Sequence, residues 1–326
     1  MFSTIWAYSV GIPAAFAASL LLLLFKPFAN RLLGRDRGRL YAIDSEVNKG
    51  KYTGVGIYFM IAFGVIVTTY CTTGFFERLI LATVGASSFF GFMDDRSISP
   101  WKEWVKGLID IGLAFAAAVL IPFAYTSDVV LFNGSYIHVP FLIFIPLATV
   151  LIIVSVNATN ATDGVDGLSG TLTIITTVTF IIIALLRGTL NATNLLFGLV
   201  MIAVLVPYLF FNIYPSKVLM GDAGSRGIGF FIALYAMMLK IPFTYLIIGL
   251  PFLLDGGLSI LKITIGRLTH KKVIILKNTL TPIHDHLKKQ KKLSVPKTYL
   301  VICGFAVVVD SLFIAINVVL KIMDIL

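Results

Sequence analysis

Residues 155–172 read "SVNATNATDGVDGLSGTL". Strongly apolar sequence runs into this stretch and out of it. Yet Asn157, Asn160, Asp163 and Asp166 recur within it at every third residue. On a straight α-helix each three-residue step lags by about 60°, so the four would fan across half the circumference. A tighter turn, or a break at Gly164 and Gly167, brings them onto one surface. Two carboxylates and two amides so placed can read hydroxyls and a base edge of a nucleotide while helping to hold a metal. The plain alternative is a Gly-rich loop with Asx turns.

The surroundings decide what kind of protein holds such a stretch. The chain has 326 residues, 58% hydrophobic and 13% charged, with 26 Phe. Soluble domains carry about 25% charged residues. A polytopic membrane protein is implied, with all-α spans, because lipid offers backbone polar groups no partner outside the segment. Cys71 and Cys303 both fall in apolar runs and read as small buried hydrophobes. Lys26 is the first basic residue and follows the first apolar run, so that run reads as a retained helix.

Polar punctuation divides the chain into ten expected spans, roughly 4–25, 53–73, 79–92, 107–124, 140–156, 169–186, 192–212, 227–239, 243–266 and 299–320. They form one integral-membrane domain over residues 1–326. With both termini on the outer face, 22 of the 26 Lys and Arg fall in inward loops, among them Lys26, Arg37, Arg39, Lys217, Arg226 and Lys262. Only Arg78, Arg187, Lys240 and Lys321 remain outside, as the positive-inside rule requires. The net charge of +10 is therefore a topology signal first, and it also draws anionic lipid or substrate inward. Nucleic acid is a poor partner for cations divided among loops that hug a bilayer. Residues 125–139 alternate around "NG" like a short outer β-hairpin.

The acids gather on loops that share a face under this threading. Asp94 and Asp95 end the third span, Asp163 and Asp166 follow the fifth, and Asp222 follows the seventh in "MGDAGSRGIGF". Hard cations favour carboxylate oxygens, and Mg²⁺ typically takes one or two of them plus substrate phosphates. The bland reading of Asp94 and Asp95 is helix termination with pairing to Arg96. Backbone N–H groups at the Gly-rich start of span eight could face a phosphate. His284 and His286, in "TPIHDH", suit hydrogen bonding or proton movement beside phosphate. Asp110, Asp255 and Asp310 lie inside apolar segments and fit a secondary transporter, the non-enzyme alternative. A purely structural scaffold leaves the clustered Asp and Asn without a reason.

In this order, "FMDD", "NATNATDGVDGLSG", "MGDAGS" and "TPIHDH" resemble the superfamily of polyprenyl-phosphate N-acetylhexosamine-1-phosphate transferases. The motifs are most similar to those of the phospho-N-acetylmuramoyl-pentapeptide transferases, over nearly the whole chain. The resemblance implies a cytoplasmic-face active site in the bacterial inner membrane, with Mg²⁺ as cofactor. It implies transfer from UDP-N-acetylmuramoyl-pentapeptide to undecaprenyl phosphate, giving lipid I and UMP, by a homodimer. The alternative donor is UDP-GlcNAc, for teichoic acid or polysaccharide.

By the same resemblance Asp94 and Asp95 activate or position substrate, Asp222 holds the metal with Asp94 and Asp95 as further candidates, and Asp163 holds uracil. Asn157, Asn160 and Asp166 join the nucleotide site, with Lys106, His284 and His286 in catalytic roles. "NKGKYTGVG" is similar to an early substrate-binding motif, which matches Thr53 and leaves Lys49 or Lys51 as the basic residue. Leu219 stands where the family often has a Phe that stacks on uracil, and Asp285 interrupts the usual run of three His.

Overall fold

Where the sequence alternates long apolar runs with Gly, Pro and charge, the chain folds into helices joined by short turns. The computed structural model describes residues 7–24, 31–36, 48–71, 74–273 and 275–323. The outermost residues of the first expected span, residues 72 and 73, and Lys26, Arg37 and Arg39 lie outside them. The helices are α1 (Ala7–Leu24), α2 (Gly56–Tyr70), α3 (Phe75–Arg96), α4 (Glu103–Tyr125), α5 (Phe141–Thr162) and α6 (Leu168–Leu186). They continue with α7 (Ala192–Asn212), α8 (Gly221–Met238), α9 (Pro242–Ile248), α10 (Leu250–Leu268), α11 (Ile283–Lys289) and α12 (Val295–Ile322).

Among the described residues, seven helices are long and apolar enough to cross a membrane: α1, α3, α4, α5, α6, α7 and α12. The pair α9 and α10, bent by 61° at Gly249, makes an eighth if it is one span. Two expected spans fall short of that standard for visible reasons. Helix α2 has 15 residues. Helix α8 begins with the polar run "GDAGSRG".

That polar start does not expose α8. Every residue from Asp222 to Met238 is buried, so α8 is the central element, packed against α2, α3 and α5. Small residues permit the close approach. A Cβ on Gly91 of α3 would collide with the Asp222 carbonyl oxygen, and one on Gly229 would sit 2.7 Å from the Val156 Cα. Toward its C-terminus α8 turns apolar. There Phe231 and Tyr235 stack with Phe197 of α7, and Phe63 of α2 meets Phe231 edge-on.

Two short antiparallel strand pairs mark the two ends. β1 (Gly34–Arg35) pairs with β2 (Tyr52–Thr53), and β3 (Asp128–Val130) pairs with β4 (Tyr136–His138). Helix α5 starts just after β4 and runs 22 residues, about 33 Å, to the Asn- and Asp-rich stretch. The β3–β4 hairpin and that stretch thus lie at opposite ends of the helix layer. Arg187 donates to the Leu131 carbonyl at 3.1 Å, and the Val130 N–H donates to the Lys240 carbonyl at 2.7 Å. Both residues therefore sit at the hairpin end. On the hairpin, a hydrogen bond from His138 holds the Asp128 carboxyl below its ordinary range, with Thr126 assisting.

Arg226 and Lys262 depart from the loop positions expected of them. Lys262 belongs to α10, where its amine donates to the Leu276 and Thr279 carbonyls. Arg226 is buried inside α8 and pairs with Asp110 of α4 at 2.5 Å. Each buried charge thereby meets an opposite one.

Candidate active site

Helix α5 carries Asn157 and Asn160 on its last turns and ends at Thr162, with Asp163 as its C-cap. The chain then turns through Gly164–Asp166. Gly167 has φ +78°, a left-handed conformation that glycine adopts without Cβ strain, and α6 begins. Its N–H donates to Asn212 Oδ1 at 2.9 Å, which ties the turn to the end of α7.

The four polar residues fall into two groups. Asn160, Asp163 and Asp166 line one cavity of about 370 Å³. Asn157 turns instead toward Asp110, with its amide 3.5 Å from Asp110 Oδ2. The cavity also takes in Thr53, Asn212, Tyr214, Leu219, His284 and Lys288. Its floor is built by backbone pairing of residues 52–56 with 218–220. Leu219 N–H donates to the Tyr52 carbonyl at 2.8 Å, and Gly56 N–H to the Met220 carbonyl at 3.0 Å.

A cluster of charge lies immediately beside this cavity. Lys106 Nζ of α4 is 2.5 Å from Asp94 Oδ2 and 3.2 Å from Asp222 Oδ2. Asp94 Oδ1 also accepts the Trp101 N–H at 2.7 Å. Asn160 Nδ2 donates to Asp222 Oδ1 at 3.0 Å and to Ser225 Oγ at 2.9 Å. Asn160 is therefore shared: it lines the cavity and fixes the carboxylate of the cluster.

The adjacent acids have different surroundings. Asp94 faces Lys106. Asp95 accepts the backbone N–H groups of Asp222 and Ala223 at 3.0 and 2.9 Å, and so caps the start of α8. The N–H groups that the Gly-rich sequence offers to a phosphate at these two positions are taken by Asp95. Among the described residues, no group of three or more His, Cys, Asp or Glu is arranged to hold a metal ion. The donor set near Asp222 has the hard oxygens that Mg²⁺ takes one or two at a time alongside substrate phosphate. Asp222 and Asp94 fit that pattern. Asp95, with both oxygens occupied by the α8 backbone, fits it poorly.

The remaining expected residues divide likewise. Lys51 Nζ donates to Asn48 Oδ1 at 2.7 Å and to Ser216 Oγ at 2.9 Å, while Lys49 is exposed. Asp166 Oδ2 accepts the Ser216 N–H at 2.9 Å, so Lys51 and Asp166 grip one loop. His284 is buried against the cavity. His286 is not among the cavity-lining residues; its Nδ1 accepts the Leu280 N–H at 3.4 Å.

The three acids buried within apolar helices also have partners. Asp110 meets Arg226, Asp255 meets His284, and Asp310 accepts from Thr179 Oγ1 at 2.8 Å. Sequence reasoning passed over Asn212, Tyr214 and Lys288. The polar "NIYPS" at the end of an apolar run was the readable signal for the first two.

Residues 78–240 match the family model described as glycosyl transferase family 4. The phospho-N-acetylmuramoyl-pentapeptide-transferase of Treponema pallidum (strain Nichols) is 33% identical over 282 residues, covering 81% of this chain and 77% of that protein. The protein of the same name from Staphylococcus carnosus (strain TM300) is 30% identical over 301 residues, covering 86% and 90%. That of Staphylococcus saprophyticus is 31% identical over 302 residues, with the same coverage. The chain belongs to glycosyl transferase family 4. It is a phospho-sugar transferase with several membrane-spanning helices.

Proposed function

We propose that this enzyme transfers phospho-N-acetylmuramoyl-pentapeptide from its UDP-linked donor to undecaprenyl phosphate, releasing UMP and forming lipid I. The observation that carries the reading is the shared Asn160, which joins a nucleotide-sized cavity to the Asp222–Lys106–Asp94 cluster. The relatives' names supply the transferred group, phospho-N-acetylmuramoyl-pentapeptide. As proposed, one domain over residues 1–326 spans the bacterial inner membrane ten times, works as a homodimer, and opens its site to the cytoplasm. Both termini and the β3–β4 hairpin then lie outside.

In this mechanism the cavity takes the nucleotide. Asp163 and Asp166 are within reach of base and ribose polar groups, and Tyr214 supplies the aromatic face that Leu219 lacks. The donor's diphosphate then extends past Asn160 toward Lys106. A lipid phosphate oxygen attacks the sugar-linked phosphorus. A new P–O bond forms to that oxygen, the P–O bond to the UMP phosphate breaks, and UMP leaves with the electron pair.

Two anions must meet, so neutralising charge is the central problem. Lys106 contributes one fixed cation. Asp222, with Asp94 across Lys106, would hold Mg²⁺, which supplies further positive charge at the phosphates when bound. Asp94 orients the acceptor phosphate and takes its proton where one remains. Direct attack suffices, because a phosphate monoester is largely dianionic near pH 7.

The test is to offer the purified enzyme undecaprenyl phosphate and Mg²⁺ with either UDP-N-acetylmuramoyl-pentapeptide or UDP-GlcNAc. UMP release with the first alone is the expected result. Release with UDP-GlcNAc alone would move the enzyme to the other donor class, and release with neither would end the reading.

A further inference from the structure

Asp255 lies within α10, outside the Asp94–Lys106–Asp222 cluster, and the transfer chemistry makes no direct use of it. It sits in a wide π-turn, Leu253–Gly257, an irregularity that helices tend to carry at functional sites. Only 2% of its surface is exposed. Both of its oxygens point at one residue. Oδ1 accepts the His284 backbone N–H at 2.7 Å, and Oδ2 lies 2.8 Å from His284 Nδ1.

The first bond would be enough to dock α11 on the helix layer. The second does something else. An ionised carboxylate only accepts, so Nδ1 must carry a proton. Nε2 is then the edge whose protonation can change. That edge faces the cavity turn: a Cβ on Gly164 would collide with Nε2. The charged groups nearest this edge are Asp285, with Oδ1 at 3.9 Å from Nε2, and Lys288, whose amine donates to the Gly164 carbonyl at 3.1 Å.

We propose that Asp255 is a positioning residue that keeps the proton of His284 on Nδ1 and turns Nε2 toward the anionic donor, a role that rests on the transferase reading above. With Asp255 behind it, the ring can take a second proton at Nε2 and meet a phosphate oxygen as a cation. A neutral amide at position 255 reverses this. Its oxygen still accepts the backbone N–H, but its NH₂ donates to Nδ1, and the ring is left as the neutral Nε2–H form.

Asp255→Asn therefore separates docking from proton placement. Two-bond ¹H–¹⁵N spectra of histidine-labelled enzyme in detergent report the tautomer, with His284→Gln assigning the signal among the four His. In the wild type, Nδ1 of His284 is protonated throughout pH 6.5–8.5; in Asp255→Asn, Nδ1 is bare and Nε2 protonated. Calorimetric titration with UDP supplies the second readout. Asp255→Asn weakens UDP about tenfold, and it adds nothing to the loss in His284→Gln, because it acts through that ring. An unchanged tautomer in Asp255→Asn, or losses that add, would overturn the proposal. Wild-type enzyme that binds no UDP would strike the nucleotide reading instead, and the spectra would still decide the pairing.

Discussion

Asp95 and Asp222, 127 positions apart, are joined by a hydrogen bond from the Asp222 backbone N–H to Asp95 Oδ1 at 3.0 Å. The second oxygen of Asp95 holds the next N–H of α8. One carboxylate of the adjacent pair thus anchors the central helix, and the other is left to face Lys106.

Asp94→Asn and Asp95→Asn should therefore fail in different ways. Asparagine at 95 can accept only one of the two N–H groups and turns its own NH₂ toward the other. Hydrogen bonds to charged groups contribute about 1.5–3 kcal/mol each, so the loss in stability should be of that order. A thermal-shift measurement in detergent should show Asp95→Asn melting below wild type and below Asp94→Asn. Asp94→Asn should keep most of the melting temperature and lose UMP release about 100-fold or more.

Lys106 stands between two carboxylates, and its removal bears on metal binding with a definite sign. Lys106→Met leaves Asp94 and Asp222 without the ammonium that offsets their charge. A divalent cation should then bind more tightly to the ligand-free enzyme, about tenfold, while transfer falls about 100-fold. Titrating Mn²⁺ by electron paramagnetic resonance reads the affinity independently of turnover. Weaker Mn²⁺ binding in Lys106→Met would remove Asp94 and Asp222 from the metal site.

Tyr214 is the one Phe, Tyr or Trp among the described residues that line the cavity. Stacking of a base on an aromatic ring contributes about 1–3 kcal/mol by alanine substitution. Tyr214→Ala should raise KM for the UDP-sugar by roughly ten- to a hundredfold with kcat little changed, whereas Tyr214→Phe should stay close to wild type. Steady-state kinetics with saturating lipid acceptor check both.

Single-cysteine labelling tests the threading, with Cys71 and Cys303 buried and slow to react. Ser135→Cys, at the turn of the β3–β4 hairpin, should react with a membrane-impermeant maleimide in intact cells. Lys291→Cys, after α11, should react only in inverted vesicles. The opposite pattern would reverse the proposed orientation.

Much of the layout was legible because lipid imposes a simple rule on long apolar runs. Among the described residues the expected spans overlap helices, seven or eight of them long and apolar enough to cross a membrane, and the gathering of Asp94, Asp163 and Asp222 at one end followed from loop order. Tertiary partners were not legible. Arg226 reads as a loop cation until Asp110, 116 positions away, is seen to bury it. "DD" reads as one motif, yet which carboxylate caps α8 depends on how α3 crosses that helix. Nothing local to "PFLLDGG" points to a histidine 29 residues on. The three-residue spacing of 157–166 pointed to a tighter turn or a break at Gly164 and Gly167 that would put all four on one surface. Asn157 faces Asp110 from within α5, whereas Asn160 near the helix end joins Asp163 and Asp166 beyond it in lining the cavity.

Asn160 has a single amide nitrogen, and both of its bonds are spent on α8. Whatever enters beside that amide and tugs on it also moves the Asp222 carboxylate. Under the transfer proposed above, such a tether would tie the aim of that acid to whether the neighbouring cavity is filled.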